Sequence, residues 1–121
     1  MKQIFTYLLF CVLATSAMAQ TYSVTFKVNM NEVAAAYTTP EVNGTFNGWC
    51  GGCNPLADGD GDGIWEATIA LEAGTYEYKF AYDAWAGQEN LIEGSPCTIT
   101  AFGFTNRTFT LGARPGLLVK L

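Results

Sequence analysis

The 121-residue chain contains no histidine. That absence removes the commonest general base near neutral pH and the commonest zinc ligand. No Gly-x-Ser-x-Gly elbow is present either, so no serine or cysteine nucleophile has an evident activating partner. Basic residues are scarce. Six Lys and Arg stand against eleven Asp and Glu, for a net charge of −5. An acidic chain without a basic cluster is a poor match for nucleic acid or an anionic membrane surface. Long apolar runs are confined to the start. Met1 and Lys2 open a short positive region, Ile4 to Ala14 is mostly apolar, and Ala17-Met18-Ala19 places small residues around a cleavage point before Gln20. Residues 1–19 therefore read as a secretory signal peptide, short of the ~20 apolar residues a membrane span requires. The remaining residues, 20–121, have the length of one domain. It is expected in the periplasm or outside the cell, with no membrane span.

Cysteine is sparse as well. Of the four, Cys11 lies in the leader, which leaves Cys50, Cys53 and Cys97. Export favours a disulfide, and an odd count leaves one thiol over. The spacing Cys50-Gly51-Gly52-Cys53 suits redox or zinc chemistry in a cytosolic protein. Here no strand–helix unit surrounds it, and no His completes a zinc set. A structural Cys50–Cys53 bridge is expected, with Cys97 free or paired beyond the present C-terminus.

No long window carries a 3.6-residue apolar period. What is there is alternation. In Thr21 to Asn29, Val24, Phe26 and Val28 share one face and Thr25 and Lys27 the other, as in a half-buried strand. Asn31 to Ala36 is expected to form one helical turn with Asn31 as N-cap, ending before Pro40. Val42 to Phe46 reads as a short strand interrupted by Gly44. Ile64 to Leu71 and Thr75 to Tyr82 read as a hairpin joined through Glu72-Ala73-Gly74. Its apolar faces, Trp65, Ala67, Ile69 and Leu71 against Tyr76, Tyr78, Phe80 and Tyr82, would form a common core wall. Cys97 to Ala101, Arg107 to Leu111 and Leu117 to Leu121 complete the expected strands. Short strands divided by turns, with almost no helix, point to a β-sandwich.

Three constellations carry potential chemistry. Glu66 and Glu77 would lie on the polar face of adjacent strands, with Asp83 close by, and paired carboxylates can hydrolyse glycosides. Their plainer role is to solvate an exposed sheet face. Asp58-Gly59-Asp60-Gly61-Asp62-Gly63 resembles the first half of a calcium loop, with oxygen ligands at alternate positions and Glu66 at the ninth. The bidentate Glu due at the twelfth position is Ile69 instead, and Asp-Gly pairs also make simple acidic turns. The third constellation is aromatic. Trp65 fits the buried alternation, whereas Trp49 and Trp85 fall outside it. Aromatic rings beside polar groups are what a sugar platform needs: the apolar face of a pyranose stacks on the ring while its hydroxyls find donors. The alternative is that both rings plug the ends of the sandwich.

These residues also carry a family resemblance. Asn43-Gly44-Thr45-Phe46-Asn47-Gly48-Trp49, Pro55-Leu56, Gly63-Ile64-Trp65, the run Leu71 to Phe80, Asp83 and Trp85 resemble the glycogen-binding domain of AMP-activated protein kinase beta subunits, in carbohydrate-binding module family 48. The likeness extends from about Thr21 to Leu111. It implies an all-β, early-set immunoglobulin-like β-sandwich that binds α-1,4-linked glucan (glycogen or starch) without cleaving it. No cofactor is expected, calcium at Asp58, Asp60 and Asp62 being the one alternative. By position it implies carbohydrate-binding roles for Trp49, Lys79, Trp85 and Asn106, with Thr105 a weaker candidate. The Cys50–Cys53 insertion and the acidic turn are not general features of the kinase domain and look more like a secreted bacterial branch. The rival expectation is a ligand-free immunoglobulin-like accessory or spacer domain of a larger secreted protein.

Overall fold

In the computed structural model, residues 19–112 are described. The expected leader, up to residue 18, and the expected strand Leu117 to Leu121 lie outside them. Seven strands follow in order: β1 (Thr21–Asn29), β2 (Pro40–Gly44), β3 (Ile64–Glu72), β4 (Gly74–Tyr82), β5 (Gly87–Gln88), β6 (Thr98–Ala101) and β7 (Phe104–Leu111), with a 3₁₀ turn at Thr45–Asn47. All pairings are antiparallel. β1 and β3 form one sheet, and the other runs β2-β4-β7-β6, with β5 added at the end of β4. The two sheets pack face to face as a β-sandwich.

The alternation read from the sequence places the core. Phe26 is fully buried, and its ring meets Phe46, Tyr78 and Phe109 at centroid distances of 5.3, 5.0 and 6.0 Å. Val24, Val42, Leu56, Leu71, Phe80 and Leu111 complete the buried cluster. Such offset and edge-on aromatic contacts add to the area term that drives burial. On the polar faces the β1–β3, β4–β7 and β6–β7 pairs each carry a threonine bridge. Thr25–Thr68, Thr75–Thr110 and Thr100–Thr105 hydroxyls lie 2.8, 3.0 and 2.9 Å apart. Cross-strand contacts of this kind help to set register.

Three local expectations are corrected. The β3–β4 connection is not a hairpin: β3 pairs with β1 throughout, and Glu72-Ala73-Gly74 carries the chain from one sheet to the other. The two aromatic faces still form opposing core walls, but across the sandwich rather than along one sheet. The physical reason is that both strands have one strongly apolar face; pairing β3 with β1 lets both faces be buried against each other. The β2 strand ends at Gly44 rather than Phe46, because the 3₁₀ turn turns Phe46 inward against Phe26 and Tyr76. The Asn31–Ala36 segment holds one turn, Val33 N–H to the Met30 carbonyl at 3.1 Å, and no helix. The Asn31 side chain is drawn instead to the Asn29 side chain and the Asp62 carbonyl. A short hairpin that escaped the sequence reading joins β6 to β7 through Phe102-Gly103, both left-handed, as a two-residue turn requires.

On one side the sandwich is stitched by Pro55-Leu56-Ala57, which bridges to Glu41 of β2 and Glu66 of β3. On the other, between β1 and the five-stranded sheet, a groove of about 830 Å³ remains. Within it Arg107 lies over Phe80 and grips Glu89 through Nε and Nη2 at 2.7–3.0 Å. That grip holds the guanidinium protonated above its usual range, and burial pushes the adjacent Tyr78 phenol up. Among the described residues no helix is long and apolar enough to cross a membrane.

Phe26→Ala is expected to destabilise the domain by about 3–5 kcal/mol in urea unfolding, as a large-to-small change at a fully packed site. Thr25→Ala, next to it but facing solvent, is expected to cost no more than about 1 kcal/mol.

Candidate functional site

The outer face of the five-stranded sheet is built differently from its inner face. Strand β4 turns Glu77 and Lys79 outward while Tyr76, Tyr78 and Phe80 face the core, and β7 turns out Phe104 and Asn106 between its inward residues. Two loops rise beside this face.

The first loop leaves β2 through the 3₁₀ turn. Asn47 holds it together: its Oδ1 accepts the Gly44 N–H at 3.0 Å, and its Nδ2 donates to the Val42 carbonyl at 3.2 Å and Asn54 Oδ1 at 2.8 Å. Trp49 follows in a left-handed conformation (φ 61°), its N–H bonded to the Gly44 carbonyl. The expected Cys50–Cys53 disulfide is formed, with Cα atoms 5.6 Å apart, and Cys97 is an exposed free thiol.

The second loop, Asp83-Ala84-Trp85, has three successive left-handed residues, with φ of 51°, 53° and 70°. Each non-glycine residue in that region is disfavoured by about 1–2 kcal/mol. Two carboxylates offset the strain. Asp83 accepts the Thr38 and Thr39 N–H groups at 2.9 and 2.7 Å. Glu41, only 1% exposed, accepts Ala84 N–H at 3.1 Å and Trp85 N–H at 3.2 Å, together with Asn43 Nδ2 at 3.0 Å. Hydrogen bonds to charged groups contribute about 1.5–3 kcal/mol each, enough to hold such a turn.

The loops meet at the tryptophans. Trp85 Nε1 donates to the Trp49 carbonyl at 3.2 Å, and the two ring systems lie 6.5 Å apart with planes inclined by 34°. Both rings are half-buried, between the fully exposed platform and the buried plug that the sequence left open. Trp49, Lys79, Trp85 and Asn106, from four separate segments, line one groove of about 600 Å³. Lys79 is 9% exposed, and among the described residues it has no ion-pair partner. Asn106 Nδ2 donates to Glu77 Oε1 at 3.3 Å.

Sequence reading missed five lining residues: Glu77 in this role, Gln88, Ala101, Phe102 and Phe104. Phe102 is fully exposed and Phe104 is 67% exposed, an unusual placement for phenylalanine. The Phe-Gly pair at the hairpin tip was the available signal.

The other candidates fall elsewhere. Glu66 pairs with Lys27 at 3.1 Å on the outer face of the β1–β3 sheet, so it lies on the side of the sandwich away from Glu77. The two carboxylates are not on adjacent strands, and no acid pair forms. Asp58, Asp60 and Asp62 do converge, with carboxylate oxygens within 4.8 Å of one another. Their oxygens accept backbone N–H groups within the turn. Asp58 takes those of Asp62 and Gly63 at 3.1 and 2.9 Å, and Asp62 takes that of Ile64 at 2.8 Å. The Asp62 carboxylate beside Asp60 raises the Asp60 carboxyl above its ordinary range. For Asp58, desolvation acts upward, but the N–H bonds from Gly63, Asp62 and Gly61, with the Asp60 contact, together outweigh it and leave it lowered.

No protein-family model matches the chain, and no curated protein matches it.

The shifts give a pH prediction. A lowered carboxylate contributes stability above its unfolded pKa that is lost as pH falls through the folded value. A raised one contributes below its unfolded pKa and loses this as pH rises through the folded value. On acidification, carboxyl ¹³C NMR is therefore expected to show Asp60 taking up its proton before Asp58. Asp60→Asn is expected to remove the upper step.

Proposed function

We propose that this groove binds α-1,4-linked glucan without cleaving it, in a secreted immunoglobulin-like sandwich of the carbohydrate-binding kind. The observation that carries the reading is convergence. Four residues from three stretches of the sequence, around positions 49, 79–85 and 106, chosen by resemblance and by their position outside the core pattern, line the same groove. Two aromatic faces, an ammonium without an ion-pair partner among the described residues and a carboxamide are the groups a sugar chain uses: stacking for the apolar ring faces, donors for the hydroxyls. The 34° inclination between the indoles favours a chain whose successive rings turn, as α-1,4 linkage makes them, over a flat β-linked ribbon. Glu77 is the one carboxylate among the described lining residues, and glycoside hydrolysis ordinarily uses two.

The energetics suit a weak binder. Covering about 100 Å² of apolar surface at each indole contributes roughly 2.5 kcal/mol at ~25 cal/mol per Å². Half-buried rings have less to offer, and association costs several kcal/mol. Dissociation constants of roughly micromolar to millimolar follow. One observation favours the ligand-free spacer instead: the Trp85 indole N–H is already satisfied by the Trp49 carbonyl.

Affinity electrophoresis in gels containing glycogen, amylopectin or laminarin separates the two. Retention is expected with the first two and not with laminarin. Trp49→Ala and Trp85→Ala are each expected to weaken it at least about tenfold, as the loss of one platform implies. Lys79→Ala, losing about 1 kcal/mol of hydrogen bonding, is expected to weaken it several-fold. No retention of the parent by any of the three would leave the spacer reading standing, and parent-like retention by both Trp variants would overturn the assignment of binding to this groove.

A further inference from the structure

The Cys50–Cys53 bridge lies outside the buried cluster and immediately follows one groove indole. Its loop also supports the other. A Cβ placed on Gly51 would come within 2.7 Å of Trp85 Cδ1, 3.2 Å of Trp85 Nε1 and 3.2 Å of Ala84 Cα, so bare loop backbone is the surface on which Trp85 rests. The indole then returns a hydrogen bond to the Trp49 carbonyl, one residue before the bridge. The two ends of this stretch are anchored to β2, Trp49 N–H by the Gly44 carbonyl and the Asn54 carbonyl by the Val42 N–H. Within it, Cys50 N–H meets the Asn47 carbonyl at 3.3 Å and Cys53 N–H the Cys50 carbonyl at 3.4 Å. Cys53 is exposed and Cys50 half-buried, so a reductant can reach the bridge.

We propose that the Cys50–Cys53 disulfide is a positioning element of the groove: it fixes the mutual placement of Trp49 and Trp85, and its reduction disables ligand binding while the sandwich stays folded. This rests on the glucan reading for its ligand. The chemistry is thiol–disulfide exchange with a dithiol reductant. One thiolate of the reductant attacks Sγ of Cys53, the S–S bond breaks, and Cys50 leaves as thiolate. The reductant's second thiolate then closes its own ring by displacing Cys53. Two electrons and two protons pass to the protein, giving two cysteine thiols and one oxidised cyclic disulfide. With the bridge open, residues 50–53 regain backbone freedom and Trp85 loses the firm surface beneath it. Binding by a preorganised pair of rings is sensitive to such loosening.

The test uses the chain from Gln20 in a Cys97→Ser background, so that the bridge is the only sulfur pair. Affinity for maltoheptaose is measured with the bridge oxidised and after dithiothreitol. Near-UV circular dichroism reports the Trp49–Trp85 coupling, and far-UV dichroism reports the strands. Reduction is expected to lower affinity about tenfold or more and to diminish the near-UV tryptophan band, with the far-UV spectrum unchanged. Gly51→Ala, which keeps the bridge but displaces Trp85, is expected to reproduce both losses. Unchanged affinity and an unchanged near-UV band on reduction would overturn the proposal, as would loss of the strand spectrum. Parent-like behaviour of Gly51→Ala would also overturn it. If the oxidised protein does not bind maltoheptaose at all, the glucan reading fails. The near-UV band then decides the positioning role alone: its loss on reduction supports that role, and its persistence overturns it.

Discussion

A carboxylate buried on the outer face of a sheet has to be satisfied by hydrogen-bond donors, and Glu41 is the case on which the upper surface of this molecule depends. It sits on β2 with no cation at ion-pair distance among the described residues, and takes two backbone N–H groups and one carboxamide instead. Those two N–H groups converge only because Asp83, Ala84 and Trp85 are all left-handed. Remove the carboxylate and two of the three disfavoured residues, Ala84 and Trp85, lose the partner that offsets their strain. Trp85 would lose its fixed backbone, Trp49 the indole that bonds its carbonyl, and the groove one wall. A single acidic side chain, absent from the groove lining itself, thus links sheet, loop and site.

The two faces of β4 divide the work of the molecule. Inward, tyrosine and phenylalanine rings interlock with Phe26 and Phe109. Outward, Glu77 and Lys79 form the groove floor. Because side chains alternate along a strand, a one-residue slip in register would exchange core and site together. The aromatic packing that resists such a slip therefore also keeps Lys79 facing the groove.

Much of this was legible in the sequence, for identifiable reasons. The faces of β1, β3 and β4 follow from strict alternation, and the bridge from proximity of Cys50 and Cys53. Trp49 and Trp85 stood out because they break the alternation. Which sheet β3 joins was not legible, since an apolar face records that it is buried but not against what. Glu41 was missed because a lone acidic residue beside Pro40 resembles any surface carboxylate; its burial arises from two loops folding over it. The aromatic hairpin tip was missed because Phe102-Gly103 lacks the Asn or Asp that usually marks such turns.

The crossing of Glu72-Ala73-Gly74 between sheets has a kinetic meaning. Were β3 and β4 a hairpin, the centre of the domain could zip from a local turn. Instead, Thr25 and Thr68 close a separation of 43 residues, and Thr75 and Thr110 one of 35. Local pairing is confined to β6 with β7, where Thr100 and Thr105 are five apart at the edge of the sheet, and to the two-residue β5 at the end of β4. Chain-entropy loss therefore precedes most of the contacts that reward it. Domains of this topology fold in roughly milliseconds to seconds, with unpaired strands exposed meanwhile.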